Sequence, residues 1–337
     1  MGDCLGLDIG GANIKLYHTA GRAISIPFAM WLRPNLLAKT LASLIMDLPR
    51  CDSWGVTMTG EMADVFYDRD EGVRSIVAQT MIAARQFEVA QVGFYGSTGE
   101  LLNASQASAR TNVIASANWH ALALWVSSWV DRPSLLIDIG STTTDLIPIS
   151  PGIVATNSKS DYDRLRSHEL VYVGIRRTPI CGLVDALPND DEMIPVVREV
   201  FATTDDCALL LGWVDEDLAD TETCDRQPRT RKAAANRLAR MIGGDHRTVT
   251  IKQAESMACY SMQIVKSELT LAAAKHHEHG LSQWIVSGHG LSLLEVPTLV
   301  TTIDLAAKLG KEVSRVAPAY AICELIRSGR LHIEPSS

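Results

Sequence analysis

Residues 5 to 16, LGLDIGGANIKL, and residues 135 to 146, LLIDIGSTTTDL, align without a gap. Asp8 falls on Asp138, Gly10 on Gly140, Gly11 on Ser141 and Lys15 on Asp145. In each copy an apolar, β-prone run meets a D-I-G turn and a second β-prone run follows, so each reads as a hairpin that opens a sheet. A chain that repeats its opening hairpin is expected to form two similar lobes. Its length allows this, because 337 residues exceed the ~250 to 300 at which single cores stop growing.

Between the copies, DSWGVTMTG and AQVGFYG read as buried strands, and the apolar spacing of 73–86 and 116–130 predicts helices. From about 151 to 250 the texture changes, with prolines at 179, 188, 195 and 228, the acidic run Asp190-Asp191-Glu192 and the basic stretch RTRKAAANRLARMIGGD. A long helix is expected over 254–275, then the strand WIVSG, the turn G-H-G at 288–290 and a last apolar helix over 316–329. The organisation read from this is a first lobe at 1–115 completed by a C-terminal helix at 316–330. A second lobe spans 116–315 and carries an insertion at about 151–250.

A net charge of -8 sets the average surface against nucleic-acid backbone and anionic lipid. Seven cysteines, an odd number with no C-x-x-C pair, support neither a disulfide framework nor a zinc ribbon and fit a reducing compartment. No basic start leads into an apolar h-region, and no stretch reaches ~18 uninterrupted apolar residues. The expectation is a cytoplasmic chain with no membrane and no nucleic-acid partner, acting on a small phosphorylated molecule.

Glycine in a D-I-G turn lets backbone N–H groups approach a phosphate where no Cβ intrudes. Gly10, Gly11 and Gly140 meet that demand, and Ser141, Thr142, Thr143 and Thr144 add hydroxyl donors. Gly288 and Gly290, in S-G-H-G at 287–290, supply a further turn. Asp8 and Asp138 end their strands. If the lobes pack with pseudo-twofold symmetry these carboxylates face each other, and a hydrated Mg²⁺ with a polyphosphate relieves their repulsion; the plainer alternative is that each caps its own turn. Lys15 reads equally as a phosphate contact or a solvated strand residue.

The duplicated turns resemble those of the actin-like ATPase class of sugar kinases and Hsp70, which implies an α/β fold of two ribonuclease-H-like lobes with an insertion in the second. More specifically, the chain resembles the hydantoinase A and oxoprolinase superfamily, in its branch linked to tetrahydromethanopterin-dependent one-carbon metabolism. The matching stretches are LDIGGANIK at 7–15, TMTGEMADVFYDRDEGV at 57–73, SANWHALA at 116–123, IDIGSTTTDLIPI at 137–149, HELVYVGIRRTPICGL at 168–183, RLARMIGGD at 237–245 and APAYAI at 317–322. CDRQPRT at 224–230 departs from the branch, which usually shows Ala-Asp-Gly before the proline.

The resemblance implies a transferase that joins an aminomethylfuran-methyl diphosphate to a tyramine-like phenol and releases pyrophosphate, in methanofuran-type cofactor biosynthesis. Mg²⁺ is the implied cofactor; ATP is possible but not required. A phenol with an ordinary pKa of about 10 needs a general base, and Glu61 in the TGEM turn is the first candidate, against a capping or core role. Arg177, beside Arg176 in VYVGIRRTP, suits a diphosphate or carboxylate, whereas Arg237 and Arg240 read more readily as a solvated helix face. Asp161 and Asp163 read equally as turn residues or substrate-amine contacts. His276, His277 and His279 do not share one helix face and read as a frayed end rather than a metal site. Two other activities stay open: an ATP-dependent kinase or oxoprolinase-like hydrolase, and a non-enzymatic nucleotide sensor.

Overall fold

In the computed structural model, which describes residues 2–277, 280–288 and 293–333, the apolar run Cys4–Ile9 forms β1 with all six residues buried. It turns at Gly10 into β2 (Asn13–His18) and then β3 (Arg22–Pro27), each antiparallel to the strand before it. On the other side of β1 lie β4 (Ser53–Met58) and β5 (Gln91–Tyr95), both parallel, with the short antiparallel β6 (Leu101–Leu102) at the edge. Side chains alternate across the pleat. Leu5, Leu7 and Ile9 therefore join the large core under helices Leu37–Ile45 and Arg69–Gln86, while Cys4, Gly6 and Asp8 face the other way.

That second face has no room for side chains at its centre. Gly6, Gly55 and Gly93 stand side by side in register across β1, β4 and β5. A Cβ on Gly6 would lie 2.0 Å from the Ala319 carbonyl oxygen, and one on Gly55 2.1 Å from Ile322. Gly93 is faced by Leu101 and Ile333, while the helix Ala317–Arg327 lies directly on Gly6 and Gly55. Its Tyr320 meets Tyr17 and Trp125 edge-on.

The second sheet repeats the order of the first. β7 (Ser134–Ile139) replaces β1, β8 (Thr144–Ser150) replaces β2, and β13 (Gln283–Gly288) and β14 (Thr301–Asp304) follow on the far side. β9 (Ile153–Val154) and β10 (Leu170–Val171) both pair with β8. A hairpin first strand at the centre with crossover strands beyond it is the ribonuclease-H-like order, present twice. Between β10 and β13 lies a mostly helical block with the hairpin of β11 (Ala186–Asn189) and β12 (Glu192–Pro195) and the helices Thr204–Leu210, Arg231–Met241 and Ile251–His277.

The compact units comprise 1–136, 147–164 and 303–337 on one hand, and 137–146 and 165–302 on the other. They are drawn elsewhere than the expected change of lobe at 115/116, because helix Asn118–Ser127 packs on Ala317–Arg327. Two helices also differ from their expected spans for local reasons. Arg69–Gln86 starts early because the Asp68 side chain accepts from the Glu71 N–H as an N-cap. Asn118–Ser127 starts late because Ser116 adopts a left-handed φ of 50°. No helix among the described residues is long and apolar enough to cross a membrane.

Candidate active site

In the first unit, the D-I-G turn closes with the Gly10 N–H donating to the Asn13 carbonyl at 2.9 Å. Gly10 thus spends its donor inside the hairpin, and the N–H groups of Gly11 and Ala12 are the ones that meet no acceptor among the described residues. Asp8 is buried, and its register partner Lys15 brings its Nζ to 3.7 Å from the carboxylate. Lys15 is therefore an ion-pair partner of Asp8 rather than a solvated strand residue.

The TGEM segment abuts this turn. The Thr59 N–H donates to the Ile9 carbonyl, and a Cβ on Gly60 would meet the Gly10 carbonyl at 3.0 Å. Helix Arg69–Gln86 presses on Glu61 from behind, where Gly72 leaves the space; a side chain there would lie 2.4 Å from the Glu61 carbonyl oxygen. Glu61 is only 1% exposed. Burial pushes its carboxyl above the usual carboxylate range, and a hydrogen bond from Ser116 pulls it back only in part. The Ser116 hydroxyl lies 2.8 Å from Glu61 Oε1 and 3.2 Å from Asp161 Oδ2. Asp161 is held in turn by Arg69 at 3.4 Å and Arg164 at 3.6 Å. The buried Arg164 guanidinium lies over the Trp119 ring, 4.3 Å from its centroid, and Arg69 also reaches the Met62 sulfur.

Two residues considered separately from the sequence, Glu61 and Asp161, thus share one hydroxyl. Ser116, Arg69 and Arg164 complete the cluster, and sequence reasoning missed all three. The signal available was that Ser116 and Arg69 lie inside two of the matching stretches.

In the second unit, the Gly140 N–H donates to the Thr143 carbonyl at 2.8 Å, as Gly10 does in the first turn. The N–H groups of Ser141 and Thr142 meet no acceptor among the described residues. The segment Ile175–Arg177 docks on the turn: Ile175 donates to the Gly140 carbonyl, and Arg176 and Arg177 both donate to that of Ser141. Gly174 permits this approach, since a Cβ would fall 2.5 Å from the Ser141 and Thr142 backbone. Arg177 is exposed beside the turn, while Arg176 pairs with Asp205 and Asp220. Asp138 is half-buried, and the positive-φ Gly288 lies against it, a Cβ there being 3.0 Å from its Oδ1. Thr144 differs from its neighbours, its buried hydroxyl donating to the Val173 carbonyl instead of pointing to a ligand. His289 and Gly290 lie outside the described residues.

The solvated-face reading of Arg237 is overturned. Arg237 is wholly buried, its guanidinium bonded to Asp206 at 2.6 and 2.8 Å and to Asp225 at 2.9 Å. Arg240 stays partly exposed, 4.0 Å from Asp225. His276 is also buried, with its Nε2 3.1 Å from the His168 carbonyl, so the helix is not frayed there. Among the described residues no group of three or more His, Cys, Asp or Glu side chains could hold a metal ion by itself.

Two ribonuclease-H-like sheets, each opened by a D-I-G turn with unmet N–H donors, define the actin-like ATPase class. The hydantoinase/oxoprolinase family model matches residues 52–323, and the chain belongs to that family. A relative from Methanocaldococcus jannaschii, named (4-{4-[2-(gamma-L-glutamylamino)ethyl]phenoxymethyl}furan-2-yl)methanamine synthase, is 28% identical over 331 residues, covering 96% of this chain and 97% of that protein. A protein of the same name from Methanococcus vannielii is 30% identical over 215 residues, or 61% of this chain and 96% of its own length.

Among solved structures, nucleotide-free acetone carboxylase matches with a TM-score of 0.47 and 11% identity over 92% of this chain, which spans about half (51%) of that chain. An archaeal actin homolog in complex with ADP gives a TM-score of 0.44 at 13% identity, covering 96% of this chain and 99% of that one. At TM-scores below 0.5, neither likeness bears on what this chain binds or does.

Proposed function

We propose that this chain is a transferase that joins an aminomethylfuran-methyl diphosphate to a tyramine-like phenol and releases pyrophosphate, within methanofuran-type cofactor biosynthesis. The observation that carries the reading is the pair of matched turns, with unmet donors at Gly11 and Ala12 and at Ser141 and Thr142. They occur in a chain aligned nearly end to end with a synthase whose name contains an aryloxymethyl-furan ether. Such an ether follows from attack of a phenol oxygen on a furfuryl carbon. The furan oxygen spreads the positive charge that develops as the diphosphate departs, so the protein mainly has to stabilise the leaving anion.

In this reading the open N–H groups and the hydroxyls of Ser141, Thr142 and Thr143 receive phosphate oxygens. Arg177 contacts the anionic part of a substrate, and Glu61 provides the base. Mg²⁺ fits the donor set, because it takes one or two carboxylates and fills its shell with phosphate oxygens and water. Each turn brings one such carboxylate, Asp8 in the first unit and Asp138 in the second, that would bind it, and when bound it would neutralise charge on the departing diphosphate. ATP is not required.

The test is an assay of pyrophosphate release from a furfuryl diphosphate and a tyramine derivative, run with and without ATP. Release independent of ATP is the expected result. ATP turnover in its place would favour the kinase or hydrolase reading, and tight nucleotide binding with nothing consumed would favour a sensor. Pyrophosphate with Mg²⁺ should also raise the melting temperature at least as much as ATP, since a ligand that binds only the native state stabilises it by RT ln(1 + [L]/Kd).

A further inference from the structure

Glu61 and Asp161 come from distant parts of the chain, yet both reach the Ser116 hydroxyl, at 2.8 and 3.2 Å. A hydroxyl has a single proton to give. With both carboxylates ionised, one of these two contacts would set lone pair against lone pair. A proton on the carboxylate pair removes the conflict: Glu61 donates to Ser116 Oγ, and Ser116 donates onward to Asp161.

The surroundings decide which carboxylate holds that proton at rest. Asp161 has two guanidinium partners, Arg69 and Arg164, within 4 Å. Glu61 forms no ion pair among the described residues, and the charged groups that act on it are Arg69 and Asp161 itself. Its Oε2 is buried and meets no partner among the described residues. Glu61 is the buried end of the chain, whereas the Asp161 side chain is 22% exposed and forms its open end. Ser116 holds the pair together from a left-handed backbone conformation that a non-glycine residue adopts at a cost.

We propose that Ser116 is a positioning residue that shares one proton between Glu61 and Asp161, so that the pair acts first as acid and then as base. The assignment of these two roles rests on the reaction proposed above. As the furfuryl C–O bond breaks, its electron pair leaves on the diphosphate oxygen, and Asp161 hands that oxygen a proton relayed by Ser116 from Glu61. Two ionised carboxylates then face one hydroxyl, an arrangement that favours taking a proton back. When the phenol oxygen bonds to the furfuryl carbon its O–H bond breaks, and that proton returns through Asp161 and Ser116 to Glu61. One proton leaves and one returns, so the products are the aryl ether and a protonated diphosphate, and the pair ends as it began.

The test has a spectroscopic and a kinetic arm. Infrared spectra of the full chain at neutral pH should show a protonated-carboxyl carbonyl band that Glu61→Gln removes and Ser116→Ala shifts. Ser116→Gly supplies a second variant, because glycine accepts the left-handed backbone without strain. Both Ser116 variants should lower kcat for pyrophosphate release by about a hundredfold, with KM little changed and the pH profile displaced. Absence of a Glu61-dependent band, or Ser116 variants with the wild-type pH profile, would overturn the shared proton. A Glu61-dependent band that responds to Ser116, in a chain that releases no pyrophosphate from any furfuryl diphosphate, would uphold the shared proton and sink the reaction.

Discussion

Gly10 and Gly140 donate the same hydrogen bond across the same turn, to Asn13 and Thr143, but the positive charge near the two turns has different origins. In the first hairpin it is built in, because Lys15 stands opposite Asp8 in register and pairs with it. In the second the matching position is Asp145, and the cations arrive with Ile175–Arg177, docked on the turn through backbone hydrogen bonds. That segment is held in turn by the helical block: the Thr204 hydroxyl donates to the Gly174 carbonyl, and Arg176 pairs with Asp205 and Asp220. A duplicated motif has thus diverged by moving one charge from the hairpin to a distant segment. The first turn takes its cation from its own hairpin, and the second depends for its cations on a segment held by some hundred residues that follow it.

The strongest way to break this comparison is to neutralise both turn carboxylates in separate variants. Asp8→Asn and Asp138→Asn should each lower turnover by about a thousandfold while the fold persists, as expected when a carboxylate that binds the Mg²⁺ neutralising the departing diphosphate is lost. Unequal losses at limiting Mg²⁺ would show that the turns no longer share a task.

A second effect falls on stability. Arg237→Ala strands the buried Asp206 and the nearly buried Asp225 without their guanidinium, and should cost about 3 to 5 kcal/mol in denaturant unfolding. Below its transition the same variant should weaken pyrophosphate protection, because the block that positions Arg177 is loosened; unchanged protection would detach the second turn from the block.

Arg177→Lys keeps the charge but loses the planar fork, and should cost roughly tenfold to a hundredfold in kcat/KM if the contact is bidentate. A rise in KM alone places the contact on bound substrate, and an equal fall in kcat and kcat/KM places it on the departing diphosphate. Kinetics like wild type would make Arg177 a structural residue.

The smallest effect is a pH slope within the first unit. His120 Nδ1 lies 2.7 Å from the Tyr95 hydroxyl, and burial holds its pKa down at about 4. A folded pKa below the unfolded value of about 6.5 means the unfolded chain binds the extra proton first. Stability is then full above about pH 6.5 and falls by up to about 1.4 kcal/mol per pH unit towards pH 4. His120→Phe should flatten that slope in urea titrations, and an unchanged slope would remove His120 from the account.

Local pattern made the hairpins, the parallel strands and the long helices legible, because each is written within a dozen or so residues. The Glu61 cluster was only half legible. Glu61 and Asp161 could be picked out by type and setting, but their meeting at Ser116 is a tertiary fact spanning 55 and 45 residues. Arg237 was misread for a different reason. It shares a helix face with Ala234, Leu238 and Met241, all buried, a spacing that points inward while its charge points outward. Charge misleads where two carboxylates from elsewhere meet the guanidinium in the core.

Gly6 and Gly55 form a bare trough at the centre of the first sheet, and the helix that fills it, Ala317–Arg327, follows the whole second unit in the chain. During synthesis the first unit therefore leaves the ribosome with one face of its sheet uncovered, and Tyr17 and Trp125 wait for Tyr320. The second unit can be completed first. The part of the molecule translated earliest is finished last, and a ribosome stalled before residue 317 would present this glycine trough to chaperones.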